Sequence, residues 1–390
     1  FGFSFSDTIA PVIHSVRINS FTEVSEGLQL DSIQYLNFSN DSINSVKNDT
    51  VHIFGLTGIA AEISDFMKES ENNLGVQQIQ LFLDSEELYS FSVSRFNYDE
   101  TRYANACIDY GEKVRNKKNY ILMYRQPGNN FKYLANCKGT FQLHDRKIHK
   151  TEIVVSDFGG NKSVCTFYLK KAGKKNHERP LSGKILHWNV PLNDSIPGFK
   201  IETSRLPVSY NGFSFTVTSA ASEVFPFAPV FTAGSPEIPL HSNALISIFI
   251  QDSAGVPTEK LLIVSLDSNL SPKPQTSHLI NGWLTARVNH FGTFAIAADT
   301  IPPVVEFTGT EMNPVNNKTA LKFYIKDDLS GIKDYSVSIN DQWAIADYDP
   351  KSGFLRHELK ITPEVQLIKI LVSVTDRQAN KTMKEFEMIY

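Results

Sequence analysis

The sequence predicts an all-β protein: three consecutive antiparallel β-sandwich modules, the first and third Ig-like, the first carrying a large insertion. Three observations predict it. A phrase near the start, Asp7-Thr8-Ile9-Ala10-Pro11, returns as Asp299-Thr300-Ile301-Pro302-Pro303. A second, Val155-Ser156-Asp157-Phe158-Gly159-Gly160-Asn161-Lys162, returns as Val374-Thr375-Asp376-Arg377-Gln378-Ala379-Asn380-Lys381. The first phrase opens a module and the second nearly closes it, so the chain holds two copies of one unit. Short runs of alternating apolar residues, separated by Gly, Pro and Asn turns, are the pattern of half-buried strands. Finally, no stretch is helix-dominated and none alternates as βαβ. Phe is abundant (27) and Met scarce (5), and β-branched residues are common, which favours strands.

At 390 residues the chain exceeds one ordinary core. Its apolar fraction of 41% and aromatic fraction of 11% suit globular domains rather than disorder. A net charge of -4 supplies no basic face for nucleic acid. No apolar run has the length of a membrane span, so no transmembrane segment is expected. The chain opens on Phe1 with no signal-peptide pattern, and reads as a mature or partial product that begins mid-protein.

In order, residues 1–9 read as an incoming linker with strand-like alternation at Phe1–Ser6. Residues 10–172 form the first module. There Ile13–Ile18 suits an edge strand, Val51–Ile63 a strand running into a polar loop, and Val76–Asp84 a strand with Ile79, Leu81 and Leu83 on one face. The third module, 299–390, repeats this order with Leu321–Asp327, Gly331 and Ile332–Ile339. The Asp and Gly recur as Asp65 and Gly75, then Asp327 and Gly331. The surplus of the first module is an insertion over about 92–144, with helix near 99–116 and a hairpin around Pro127–Asn130. Residues 173–298, after a polar linker, form a second sandwich with no echo in the other two. Its strands fall at Phe213–Val217, Leu245–Ile250, Leu261–Leu266 and Phe291–Ala298. Pro302-Pro303 makes a stiff joint, because proline cannot donate to a ladder.

No catalytic centre and no metal-ligating set emerges. His144 and His149 are five apart and do not converge as zinc ligands. Asp99, Glu100 and Asp109 beside Arg102 read as a charged loop. Asp327-Asp328 with Ser330-Gly331 lacks the ligand spacing of an EF-hand and reads as a turn. Phe158–Lys162 reads as a hairpin turn. Cys107, Cys137 and Cys165 fit no zinc or redox spacing. They read as buried thiols, with a Cys107–Cys137 bridge as the alternative in an oxidising compartment. The insertion is the richest stretch. Tyr98, Arg102, Tyr103, Tyr110, Tyr124 and Arg125, with Tyr120 among them, are candidate binding residues, because Tyr and Arg dominate hot spots. The competing reading is that half of these tyrosines cover the insertion's own core. Trp188, Trp283 and Trp343 are candidate glycan-stacking platforms, with Trp343 expected against its own sheet.

Asp-Ser/Thr before an apolar residue occurs at Asp7, Asp31, Asp41, Asp49, Asp194 and Asp299, and resembles a periplasmic O-glycosylation signal of some bacteria. The chain as a whole resembles the region C-terminal to the catalytic domain in M23-family (lysostaphin-like, peptidoglycan endopeptidase) envelope metallopeptidases. The likeness rests on Phe1-Gly2-Phe3 running into Asp7–Pro11, on Tyr98–Tyr103 with Ile108-Asp109-Tyr110, and on Gln126-Pro127-Gly128-Asn129. It rests also on Phe291–Ala295 leading into Asp299–Pro303, and on Asp327–Gly331 followed by Asp341-Gln342-Trp343. The family's zinc site needs a His-x-His motif, which this sequence lacks. The resemblance therefore implies no enzyme and no cofactor in these residues, with zinc only in a catalytic domain before Phe1. It implies a non-catalytic scaffold of an exported protein in the periplasm or outer membrane or on the surface of a Gram-negative bacterium. That scaffold would dock on an envelope protein complex, with outer-membrane proteins or peptidoglycan as partners. The alternatives are part of a zinc endopeptidase and a glycan-binding module.

Overall fold

The structure, a computed structural model, describes residues 7–25, 27–37, 50–67, 73–95, 97–134, 138–173, 184–203, 209–312, 319–359 and 367–389. The strand-like start at Phe1–Ser6 and the linker from 174 to 183 lie outside them. Three sandwiches follow one another, each around its own apolar cluster.

The first sandwich is built from β1 (Val12–Val24), β2 (Gly27–Asn37), β3 (Val51–Ile53), β4 (Leu56–Phe66), β5 (Asn73–Leu74), β6 (Gln78–Leu83), β7 (Glu86–Ser92), β8 (Tyr120–Leu122), β9 (Ile148–Ser156) and β10 (Lys162–Lys171). One sheet runs β2-β1-β4-β5, with β8 also on β4; the other runs β3-β10-β9-β6-β7. Pairing is antiparallel except that β3 lies parallel to β10. Alternate residues from both sheets fill the core, among them Val16, Ile18, Ile59, Ile79, Leu81, Ile153, Val155 and Phe167. The turn at Phe158–Lys162 joins β9 to β10 as a hairpin.

The middle sandwich contains β11 (Lys184–Leu186), β12 (Asn193–Ile196), β13 (Phe199–Thr203), β14 (Phe213–Phe215), β15 (Val217–Ala220), β16 (Val230–Ala233), β17 (Pro239–Phe249), β18 (Leu261–Leu266), β19 (Pro272–Pro274), β20 (Ser277–Ile280), β21 (Trp283–His290) and β22 (Gly292–Ala298). Its sheets are β12-β13-β17-β21-β20 and β15-β16-β22-β18-β19, with β11-β14 beside them. Much of the phenylalanine sits here: Phe199, Phe213, Phe215, Phe231, Phe291 and Phe294 are all buried. Large rings bury much apolar area per residue, which suits strands this short.

The third sandwich has β23 (Val304–Met312), β24 (Thr319–Lys326), β25 (Ile332–Ile339), β26 (Gln342–Ala344), β27 (Asp347–Asp349), β28 (Phe354–Glu358), β29 (Leu367–Asp376) and β30 (Lys381–Ile389). Its sheets are β23-β24-β28-β27 and β26-β25-β29-β30. The repeat holds strand by strand: β1, β4, β6, β9 and β10 pair as β23, β24, β25, β29 and β30 do.

Four local expectations are corrected. β1 is not an edge strand, because β2 folds back against it and β4 pairs on its other side. The chain turns near Pro127–Asn130 without making a hairpin; β8 pairs with β4 instead. That is the position β28 takes on β24, so the 92–144 stretch includes one strand of the repeated scaffold. Trp343 is 72% exposed on β26 rather than packed on its sheet.

Candidate functional site at the joint of the first and middle modules

The insertion begins with a 3-10 helix, Tyr98–Ala106, whose first-turn Glu100 accepts a hydrogen bond from the Asn97 backbone at 3.1 Å. A short helix, α1 (Tyr110–Asn116), follows. Asp109 caps it, accepting from the Glu112 backbone N–H at 2.9 Å, and Lys117 in the left-handed region ends it. Asp109 at the start of α1, with Tyr120 and Tyr124 beyond it, lies over the outer face of β1, where Ser15, Arg17 and Asn19 alternate with the core residues and are themselves buried. Each finds a partner in the insertion. Ser15 Oγ bonds Tyr120 Oη at 2.8 Å, Asn19 Nδ2 donates to Tyr124 Oη at 3.1 Å, and Arg17 pairs with Asp109. The Tyr120 ring lies 4.9 Å from the Arg17 guanidinium. Burial opposes charge on Arg17, but Asp109, Tyr124 and Tyr35 together raise the guanidinium above its ordinary value. Burial also pushes the Tyr124 phenol up.

The insertion's other side meets the middle module. Arg102 donates from Nη1 to the His241 carbonyl at 3.0 Å and from Nη2 to Asn243 Oδ1 at 2.6 Å. Tyr210 Oη donates to the Arg102 carbonyl at 2.5 Å, and His241 Nδ1 lies 3.0 Å from the same hydroxyl. The hydroxyl hydrogen is engaged by Arg102, so the imidazole is the donor in that pair. Burial, then Arg102, lower the His241 pKa, which keeps the ring neutral. Tyr103 lies 4.6 Å from the His241 ring and stacks on Phe131 at 6.1 Å. Gly128 donates to the Tyr210 carbonyl at 2.6 Å. A Cβ on Gly128 would come within 2.8 Å of the Trp188 ring, so only glycine allows this approach. Arg115 pairs with Glu237 at 3.0 Å. Asn211 bonds the backbone of Leu28 in both directions, at 2.9 and 2.8 Å.

Of the candidate residues, Arg102 and Tyr103 lie in this joint. Tyr124 is buried beside β1, edge-on to Phe21 at 5.2 Å, and Arg125 is held by the Asn129 carbonyl at 2.6 Å. Tyr110 is half-buried in the first turn of α1, and Tyr98 is 96% exposed. Cys107 and Cys165 are free buried thiols, pushed up to about 11 and about 12 by burial; Cys137 lies outside the described residues. The sequence reading missed Tyr210, His241 and Asn243, which no motif marks, and it did not bring together the aspartates of the two repeated phrases. The recurrence of Asp7, Asp65 and Asp157 as Asp299, Asp327 and Asp376 was the available signal.

Residues 184–299, the span of the middle sandwich, match the Zu5-like domain family. No curated protein matches the chain. Among solved structures, a bacterial ice-binding adhesin matches at 11% identity, covering 86% of this chain and 90% of its own, with a TM-score of 0.15. Cadherin domains 1–4 of protocadherin gamma B7 match at 8% identity, covering 93% and 83%, with a TM-score of 0.18. Immunoglobulin domains 1–4 of Sidekick-1 match at 9% identity, covering 88% and 97%, with a TM-score of 0.15. No helix of the described residues is long and apolar enough to cross a membrane.

Proposed function

We propose that the chain is a non-catalytic binding and scaffold region of an exported, M23-peptidase-like envelope protein. It docks on an outer-membrane or cell-wall-associated protein assembly. The observation that carries this reading is the joint. The insertion is the largest departure from the repeated module, and its Arg102, Tyr103 and Gly128 close on the middle module. A chain built this way holds its sandwiches in set relation, which suits a spacer that presents a surface. The presenting face is the solvent side of the insertion, which exposes Tyr98 on its 3-10 helix and Lys113, Lys117 and Lys118 on and just after α1. Exposed Tyr and Lys side chains are groups a partner can engage. The test is co-purification from native membranes with every associated polypeptide identified. Tyr98→Ala combined with Lys117→Glu and Lys118→Glu is expected to lose a partner that the parent chain retains. An unchanged set of polypeptides would sink the reading.

One observation favours a glycan-binding reading as well. Trp343 (72%) and Ile345 (68%) stand exposed at one edge of the third module, as a sugar-stacking platform would. Retention on purified sacculi that is abolished by Trp343→Ala supports it, and no retention of the parent chain removes it.

A further inference from the structure

The two repeated phrases meet in space. In the first module they bring Asp7 and Asp157 together with Asp65, with one carboxylate oxygen from each within 4.8 Å of the others. They come from the chain before β1, the end of β4 and the β9–β10 turn, so three separate segments converge. Asp7 and Asp157 have donors. Ile9 N–H reaches Asp7 Oδ1 at 3.1 Å, Asn161 N–H reaches Asp157 Oδ1 at 2.9 Å, and Asn161 Nδ2 reaches Asp157 Oδ2 at 2.8 Å. Asp65 is different. It is 3% exposed, and its Oδ1 is buried with no hydrogen-bond partner among the described residues. Burial raises its carboxyl above the ordinary range, and Asp157 and then Asp7 raise it further, against a smaller lowering by the Phe66 backbone N–H. A buried carboxylate oxygen left bare beside two other carboxylates calls for a compensating positive charge.

We propose that Asp7, Asp65 and Asp157 bind a calcium ion, one oxygen from each, with water completing the shell. The donor set is all oxygen, the chemistry of hard cations. Zinc would want nitrogen or sulfur, which this cluster does not offer. Calcium accepts an irregular set of carboxylates in flexible geometry, whereas magnesium demands a near-ideal octahedron and keeps most of its waters. The ion ties the start of the first sandwich to the end of β4 and to the β9–β10 hairpin. The third module supplies the contrast. Asp299, Asp327 and Asp376 cluster in the same way, but protein donors already fill the cluster. Ser330 N–H reaches Asp299 Oδ2 at 2.9 Å, Gly331 N–H reaches Asp327 Oδ2 at 2.7 Å, and Asn380 N–H reaches Asp376 Oδ1 at 2.8 Å.

The test uses the full chain, stripped with chelator and titrated with calcium by calorimetry, with thermal unfolding in parallel. Saturable binding and a rise in Tm on the order of 5 °C are expected, and magnesium at the same concentration should reproduce neither. Asp65→Asn should weaken binding roughly tenfold or more while the far-ultraviolet circular dichroism stays unchanged. Asp7→Asn, at a half-buried position outside the sheets, is the second variant should Asp65→Asn not fold, with the same loss expected. No binding up to millimolar calcium overturns the proposal. So does undiminished binding in the Asp65→Asn or Asp7→Asn chain, and equal or tighter binding of magnesium overturns the choice of metal.

Discussion

The two outer modules are the same scaffold with different covers. In both, an Asn side chain stitches the opening phrase to the closing one. Asn161 Nδ2 reaches Asp157 at 2.8 Å and the Asp7 carbonyl at 3.2 Å, and Asn380 Nδ2 reaches Asp376 at 2.7 Å and the Asp299 carbonyl at 3.0 Å. In both, a hydroxyl on the last strand holds the proline carbonyl: Ser163 on Pro11 and Thr382 on Pro303, each at 2.5 Å. Two things differ. The outer face of β1 lies under the insertion, whereas on β23 Val304, Glu306, Thr308 and Thr310 are exposed. The aspartate cluster of the third module is filled by backbone donors and pinned to the middle module by Lys260, which reaches Asn380 Oδ1 and the Gln378 carbonyl at 2.7 Å each. The shared parts make the fold. The parts that differ fix each module to its surroundings.

The largest effect should come from uncovering the buried charge under the insertion. Arg17 is 1% exposed and its Nε and Nη1 have no hydrogen-bond partner among the described residues, so Asp109 is its compensating charge. Asp109→Ala should cost about 3–5 kcal/mol, read as a lowered denaturation midpoint of the first module. Glu306→Ala, at an exposed position on the corresponding strand of the third module, should stay within about 0.5 kcal/mol. Equal costs at the two sites would break the comparison. Next in size is the stitch. Asn380→Ala strips a donor from Asp376, which is 0% exposed, and removes the acceptor of Lys260; about 2–3 kcal/mol is expected. Asn161→Ala, where no lysine among the described residues makes such a contact, should cost less, about 1–2 kcal/mol.

How much of this was readable beforehand follows from period and distance. Alternation at Ile79–Leu83 and Leu321–Ile325 marks strands because side chains on a strand alternate faces, and the doubled phrases marked the repeat. The same alternation misled at β1. Ser15, Arg17 and Asn19 look like a solvent face, and only the insertion, about a hundred residues later in sequence, buries them. The tyrosines divide for the same reason. Tyr98 and Tyr124 look alike in sequence, but one opens a 3-10 helix in solvent and the other lies against Asn19 and Phe21. Nothing local marks Tyr210 or His241 as joint residues, since their partners come from another module. Trp343 was expected to pack because large rings usually do; its place on a three-residue edge strand leaves it exposed instead.

The joint itself should respond more modestly. Gly128→Ala pushes a methyl into Trp188 and the Tyr210 carbonyl, a strain of about 1–3 kcal/mol. It should appear as faster proteolysis between the first two modules, while the joint at Asp299 keeps its protection. Arg102→Ala removes two hydrogen bonds for about 1–2 kcal/mol and should act in the same direction. Faster cleavage at both joints in either variant would mean that the modules do not hold together separately.

The smallest effect is in pH, and it isolates one carboxyl of the filled cluster. Burial raises the Asp327 pKa; the Gly331 N–H opposes this, and Asp299 and Asp376 add to it. A carboxyl raised in the folded state binds its proton more tightly there than in the unfolded chain. Between the ordinary carboxylate value and the raised one, the folded chain therefore carries the extra proton, and stability falls as pH rises through that window. Glu311 and Asp349 in the same module are lowered, Glu311 by Lys322 and Arg356 and Asp349 by Ser352 and neighbouring backbone. Their contribution runs the other way and is lost as pH falls through their lowered values. Asp327→Asn removes the contribution of the raised carboxyl and leaves those of Glu311 and Asp349 in place. The variant's stability relative to the parent chain should therefore rise as pH goes from about 4 toward neutral, measured by urea denaturation at stepped pH. A difference that stays flat across that range would mean that the backbone donors of the 327–331 turn fully offset the burial of the carboxylate.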